Sequence, residues 1–276
     1  MVVARWGKKI KLMLSHISLI TLIIMSATAC QKRGSNDITG SIGSSSTAQA
    51  TANLSDAQME EMGKRYEANP ADRSAALLYA RALRARDLNT QAMSVLENAT
   101  MRNPKDKEIL GAFGRSLLDV GNYKQAQEVL ARSHSPDRPD WRILSAQGSA
   151  ADHLGEHDIA RTFYDTALKI TPDEPSVLSN LAMSYALTKN LPEAESILRR
   201  AAKDSRADAR VRQNLALILG LQGKATEAEA LIRRDLPPSD AEANIRSLRA
   251  MVSQPNSWQA IKKADKSASA TRAVPN

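Results

Sequence analysis

A 34-residue period runs through the middle of the chain and restricts what it can fold into. Small residues stand at Ala80, Gly114, Gly148, Ala182 and Ala216, and a second small series at Ala92, Ala126, Ala160, Ala194 and Ala228. A third series is bulky: Leu96, Leu130, Tyr164, Leu198 and Ile232. Three residues after it the chain is small at Ala99, Ser133, Ala167 and Ala201, and Asp235 breaks the pattern. Prolines fall at the unit boundaries, at Pro70, Pro104 and Pro172. A unit of this length cannot bury its own apolar face, so successive copies must stack. Aromatics make up 4% of the residues while Ala, Leu, Arg, Glu and Gln recur, which favours helices over strands.

The spacing has a packing explanation. Small residues where two antiparallel helices cross let the backbones approach, and the bulky residue fills the gap to the next pair. Gly121, Gly155 and Gly223 recur where the two helices of a unit join, a place suited to a left-handed residue; Asp87 and Lys189 occupy it in the other two units. The register gives five repeats, 73–106, 107–140, 141–174, 175–208 and 209–242, without insertion. Ahead of them, within 55–72, one amphipathic helix is expected over Ser55 to Ala68, with Met59, Met62 and Tyr66 on its apolar side and Ser55 as cap. Behind them a capping segment, 243–258, is expected to be helical from Ala241 to Val252 and to end near Pro255. Residues 259–276 have the composition of a disordered tail.

In length and in each signature place this array resembles the tetratricopeptide repeat. The resemblance implies an all-α solenoid of helical hairpins wound as a right-handed superhelix and flanked by flexible termini. It also implies a non-catalytic scaffold whose first helices line a concave groove.

The formal charge of +8 suggests a nucleic-acid or membrane partner until it is divided along the chain. Arg5, Lys8, Lys9 and Lys11 precede any acid; Lys262, Lys263, Lys266 and Arg272 stand against Asp265 in the tail, and Lys32 and Arg33 against Asp37. Residues 38–261 are then neutral, which is not the footprint of a phosphate-backbone binder.

The N-terminus reads as an export signal. A basic start is followed by an apolar run from Leu12 to Met25, then Ser26, Ala27, Thr28 and Ala29 before Cys30. The run is interrupted by Ser15, His16, Ser18 and Thr21 and falls short of the roughly 20 residues that span a bilayer. Cys30 is the only cysteine, so it has no intramolecular disulfide partner. The Ala27 to Cys30 stretch resembles the bacterial lipobox, with Ala27 departing from its usual leucine, and implies cleavage after residue 29 and acylation of Cys30. Gln31 in place of Asp implies, again by resemblance, the periplasmic face of the outer membrane. Residues 31–54 are rich in Gly, Ser and Thr and are expected to tether the domain to its anchor.

Within the array, binding is expected on the outward places of the first helices. Asn180 and Asn214 share a place in consecutive repeats where tetratricopeptide modules use asparagine to hydrogen-bond an extended ligand; repeats one to three carry Leu78, Ala112 and Ala146 there. Arg81, Arg115, Arg142 and Arg210 fall at groove-facing places and suit carboxylates or carbonyls of a protein partner. Met183, Leu217 and Leu221 are expected to give repeats four and five an apolar floor, making that half the better groove, with both asparagines partly exposed.

No cofactor or metal is expected. His153, Glu156 and His157 match an H-x-x-E-H zinc-peptidase pattern, but Gly155 falls in the turn between two helices, which separates the histidines. No G-x-S-x-G elbow or glycine-rich phosphate loop occurs, and His134 sits in a Pro-rich turn between repeats.

Several longer phrases are more specific than the repeat demands. These are Pro136 to Gly148, Asp173 to Ala202, Arg210 to Gly223 and Ala243 to Trp258. They resemble the tetratricopeptide lipoproteins of the tight-adherence (Tad/Flp) pilus system. That resemblance implies a pilus-biogenesis accessory factor at the outer membrane, helping the secretin assemble or localise; a generic periplasmic adaptor is the alternative, and a zinc hydrolase centred on His153 and His157 is the rival from another class.

Overall fold

In the computed structural model, residues 55–135 and 137–253 are described. The signal segment, Cys30, the tether, residues 254–258 of the closing segment and the tail lie outside them.

Twelve α-helices follow one another along the described residues: α1 (Asp56–Ala68), α2 (Arg73–Ala85), α3 (Asn89–Arg102), α4 (Lys107–Asp119), α5 (Tyr123–Arg132) and α6 (Trp141–Leu154). They continue with α7 (His157–Ile170), α8 (Pro175–Leu187), α9 (Leu191–Ala201), α10 (Ala209–Leu221), α11 (Ala225–Asp235) and α12 (Pro238–Val252). Each repeat contributes one hairpin, α2/α3 through α10/α11. Every helix packs on the next, and each first helix also touches the first helix of the following repeat. The first helices therefore form a continuous wall, the inner wall of the stack.

Helix starts follow from chemistry at the repeat boundary. Asp72, Asp106, Asp140 and Asp208 cap α2, α4, α6 and α10; the first two carboxylates each accept from two backbone N–H groups of the first turn and the last two from one. These caps recur every 34 residues, with Glu174 before α8 making no side-chain cap and Pro175 opening the helix instead. The first helix is capped by Ser55 as expected, in a reciprocal box with Gln58. The closing helix starts earlier than expected, at Pro238 rather than Ala241, because a proline suits the first helical position.

Helix ends depend on left-handed residues. Gly121, Gly155 and Gly223 have φ of 80°, 85° and 79°. The two hairpins without glycine use the same conformation, Asp87 at φ 59° and Lys189 at φ 67°, despite its cost for a residue with a Cβ.

The signature alanines are core residues: Ala80, Ala92, Ala99, Ala126, Ala160, Ala167, Ala182, Ala194 and Ala228 are all buried, as are Leu96, Leu130, Tyr164, Leu198 and Ile232. Close approach is tightest in repeats two and three. A Cβ on Gly114 would stand 2.5 Å from Leu130 Cγ, and one on Gly148 would stand 2.5 Å from Tyr164 Cε1.

The Tyr164 hydroxyl that this packing buries needs a partner, and the chain supplies one from α6. Tyr164 Oη donates to Asp152 Oδ2 at 3.0 Å, Ser184 Oγ of α8 donates to Asp152 Oδ1 at 2.8 Å, and His157 Nδ1 lies 2.9 Å from the same oxygen. Asp152 thus joins α6, α7 and α8 at the third repeat. Burial raises its pKa despite the three donors, and burial likewise raises that of Tyr164 well above its ordinary value.

Candidate functional site: the inner wall of the stack

The sequence-predicted site residues all stand on first helices, but the wall treats them differently. Asn214 is buried, 6% exposed, and its Nδ2 donates to Ser179 Oγ at 2.9 Å. Asn180 is half-buried and donates to Ser145 Oγ at 3.2 Å. Each asparagine therefore reaches back 35 residues to a buried serine on the preceding first helix. The expectation that both are partly exposed holds for Asn180 and fails for Asn214, because the neighbouring helix covers the latter. The same bond in consecutive repeats makes these amides a register device between α6, α8 and α10. The signal was present in the sequence as Ser145 and Ser179, each one place ahead of the asparagine position.

Met183 and Leu217 retain 7% and 8% of their surface and belong to the core cluster of repeats three to five. Leu187 and Leu221, half-buried, carry the accessible apolar surface of that half. The apolar floor is narrower than its residue count suggests.

The arginines diverge as well. Arg210 is half-buried, with Asp208 Oδ2 3.8 Å away. Arg142 is exposed and its guanidinium stacks over the Trp141 ring, 4.4 Å from the centroid. Arg81 is exposed and Arg115 half-buried, at equivalent places in α2 and α4. Arg84, one turn after Arg81, forms an ion pair with Asp119 across α2 and α4. The accessible positive charge of the wall thus lies in repeats one to three, opposite the half favoured by composition.

The histidines of the zinc-like pattern are separated by the turn. His153 is in the last turn of α6, Gly155 ends that helix in a left-handed conformation, and His157 opens α7. His153 stacks on Tyr123 at 4.0 Å while His157 is tied to Asp152. Among the described residues no cluster of three or more His, Cys, Asp or Glu side chains has a geometry for a metal ion. His134 Nε2 pairs with Gln147 Oε1 at 3.0 Å, so it braces the turn between repeats two and three against α6.

A family described as protein kinase G tetratricopeptide repeat matches residues 67–272. The chain belongs to this tetratricopeptide repeat family. Among solved structures, the thermophilic tetratricopeptide protein TTC0263 of Thermus thermophilus superposes with a TM-score of 0.57 at 21% identity, covering 63% of this chain and 97% of that one. PilW, described as a widely conserved type IV pilus biogenesis factor, gives a TM-score of 0.55 at 16% identity and covers 78% of this chain and 98% of its own. At these identities the likeness is one of fold. The BBSome complex member BBS4 of Bos taurus is 27% identical over 111 residues, which is 40% of this chain and 21% of that protein. The chain spans about a fifth or less of the length of the curated relatives it matches. A tetratricopeptide stack is an interaction scaffold, and its inner wall is an extended surface for protein partners.

Proposed function

We propose that this protein is a non-catalytic scaffold, tethered to the periplasmic face of the outer membrane through an acylated Cys30, that helps a secretin assemble or localise in a Tad/Flp pilus machine. The unbroken array of five hairpins carries the scaffold part of the reading, because it offers one continuous wall of first helices, tied one to the next by bonds such as Asn214 to Ser179. The phrases Pro136 to Gly148, Asp173 to Ala202, Arg210 to Gly223 and Ala243 to Trp258 support the pilus assignment by their resemblance to the Tad lipoproteins. PilW, a pilus biogenesis factor of the same fold, supports it in a general way.

The test is deletion in the native host. The proposal expects loss of surface Flp pili and of secretin multimers with pilin synthesis intact, restored by the full chain. Normal pili and secretin in the deletion strain refute the pilus role and leave a general envelope adaptor. Cys30→Ser, followed by membrane fractionation and acyl labelling, tests the anchor; unchanged fractionation together with an unlabelled wild type refutes it.

A further inference from the structure

The apolar interior of the stack divides at α6. Buried residues from Met59 to Leu130 pack as one group that takes in Ile143 and Ala146, and those from Ala160 to Ile245 pack as a second that takes in Leu144 and Ala151. On each side of that divide the first helices are tied by polar side chains. Asn180 and Ser184 bond α8 to Ser145 and Asp152 of α6, at 3.2 and 2.8 Å, and Asn214 bonds α10 to Ser179 of α8 at 2.9 Å. Arg84 of α2 pairs with Asp119 of α4, and Arg73 Nε of α2 lies 2.8 Å from Oδ2 of Asp106, the α4 cap. Helix α6 meets α4 through Ile143, whose Cδ1 lies 2.7 Å from the point that a Cβ on Gly111 would occupy.

Behind the wall, the same joint departs from the repeat register. The place of Gln147 in α6 holds Tyr79, Phe113, Leu181 and Leu215 in the other repeats, and the place of His134 holds Thr100, Leu168, Ala202 and Leu236. At the next joint Leu168 and Leu181 both pack in the core of repeats three to five. Between repeats two and three the equivalent pair is polar: His134 Nε2 and Gln147 Oε1 lie 3.0 Å apart, with Gln147 5% exposed. The other ring nitrogen, His134 Nδ1, is buried and has no hydrogen-bond partner among the described residues. Helix α5 is also the shortest second helix, 10 residues against 11 to 14, and stops at Arg132, so a connection and not a helix holds His134. Separating two leucines exposes apolar surface, whereas separating this pair returns an amide and an unpaired ring nitrogen to water. Opening therefore costs less here than at the joint that follows.

We propose that the joint between repeats two and three is the hinge of the stack, about which two blocks, α1–α5 and α6–α12, turn. Each block keeps its own apolar group and its own first-helix ties, so the motion leaves both intact. The wall of first helices then changes curvature at one place, between α4 and α6, and a partner that spans the two blocks selects one angle. The hinge belongs to the stack itself and holds whether or not the partner is a pilus component.

The test measures distance distributions between spin labels in the purified full chain, with Cys30→Ser removing the native thiol. Glu97, Asp165 and Arg233 share one exposed place on the second helices of repeats one, three and five. Labels on Glu97→Cys and Asp165→Cys straddle the joint; labels on Asp165→Cys and Arg233→Cys lie equally far apart in the register but within the second block. The pair that straddles the joint is expected to give the broader distribution. His134→Leu with Gln147→Leu installs the apolar pair of the next joint. It is expected to narrow the first distribution to the width of the second, to leave the second unchanged, and to melt at or above the wild-type temperature because no buried ring nitrogen is left unpaired. Equal widths for the two label pairs in the otherwise unaltered chain overturn the proposal. So does an unchanged first distribution in a double variant that circular dichroism shows to be folded. A clear fall in the melting temperature of the double variant also overturns it, since the polar pair would then be the stronger brace. Because no pilus component is used, this result is independent of the deletion experiment.

Discussion

Gly148→Ala tests the packing rule on which the stack depends. Three Tyr164 ring atoms, Cε1, Cζ and Cδ1, would lie 2.5, 2.7 and 2.8 Å from the new Cβ, well inside contact distance. The ring is 1% exposed and its hydroxyl is tied to Asp152, so it cannot swing away freely. Overpacking of this kind costs about 1–3 kcal/mol, and displacement of the hydroxyl forfeits about 1 kcal/mol more. Replacing a mid-helix glycine by alanine returns roughly 1 kcal/mol. The net expectation is a destabilisation of about 1–3 kcal/mol, read as a lower urea or thermal midpoint by circular dichroism. Repeats one and four pair Ala80 with Leu96 and Ala182 with Leu198 at the same places, so Tyr164→Leu in the Gly148→Ala background should recover part of the loss. A Gly148→Ala chain as stable as the wild type, with no coupling to Tyr164→Leu, refutes the close-approach argument.

Other consequences follow from the same geometry. Asn214→Ala should cost about 1 kcal/mol in chemical denaturation by leaving Ser179 Oγ unpaired, more than Asn180→Ala, whose amide is half-buried; equal small effects would remove the register role. Lys189→Gly should stabilise the fourth hairpin by up to ~1 kcal/mol because Lys189 holds φ at 67°, and a loss of stability there contradicts the turn assignment. Asp152 has a raised native pKa, so the folded chain takes up its proton before the unfolded chain does. Its linked contribution is full below about 4, the unfolded value, and is lost as pH rises through the raised native value; the stability difference between wild type and Asp152→Asn should follow that slope, and a pH-independent difference contradicts it.

The sequence makes the repeat register legible because the alanine and leucine series are set by backbone approach, a constraint that each hairpin obeys separately. It makes the hairpin turn at Gly155 legible for the same reason, and with it the separation of His153 from His157. The capping aspartates at 72, 106, 140 and 208 obey the same period but sit among many other charges, so the packing series obscures them. What single-helix reasoning cannot supply is the cover that one first helix gives the next. Asn214 and Arg115 both stand at outward places, yet Asn214 is buried and bonded to Ser179 of the preceding first helix, while Arg115 is left half-buried. Groove residues are fixed by pairs 34 and 35 positions apart, which is why attention moves from the asparagines of repeats four and five to the arginines of repeats one to three.

The central claim is that the inner wall of the stack is the recognition surface. Site-specific photo-crosslinking in the native host tests it most directly, with the photoreactive residue placed at Arg81 or Arg142 on the wall, or at Met101, which is 71% exposed on the second helix of repeat one. Crosslinks to the secretin or another pilus component from positions 81 and 142, and not from 101, are the predicted result. Crosslinks from position 101 with none from the wall would contradict the account.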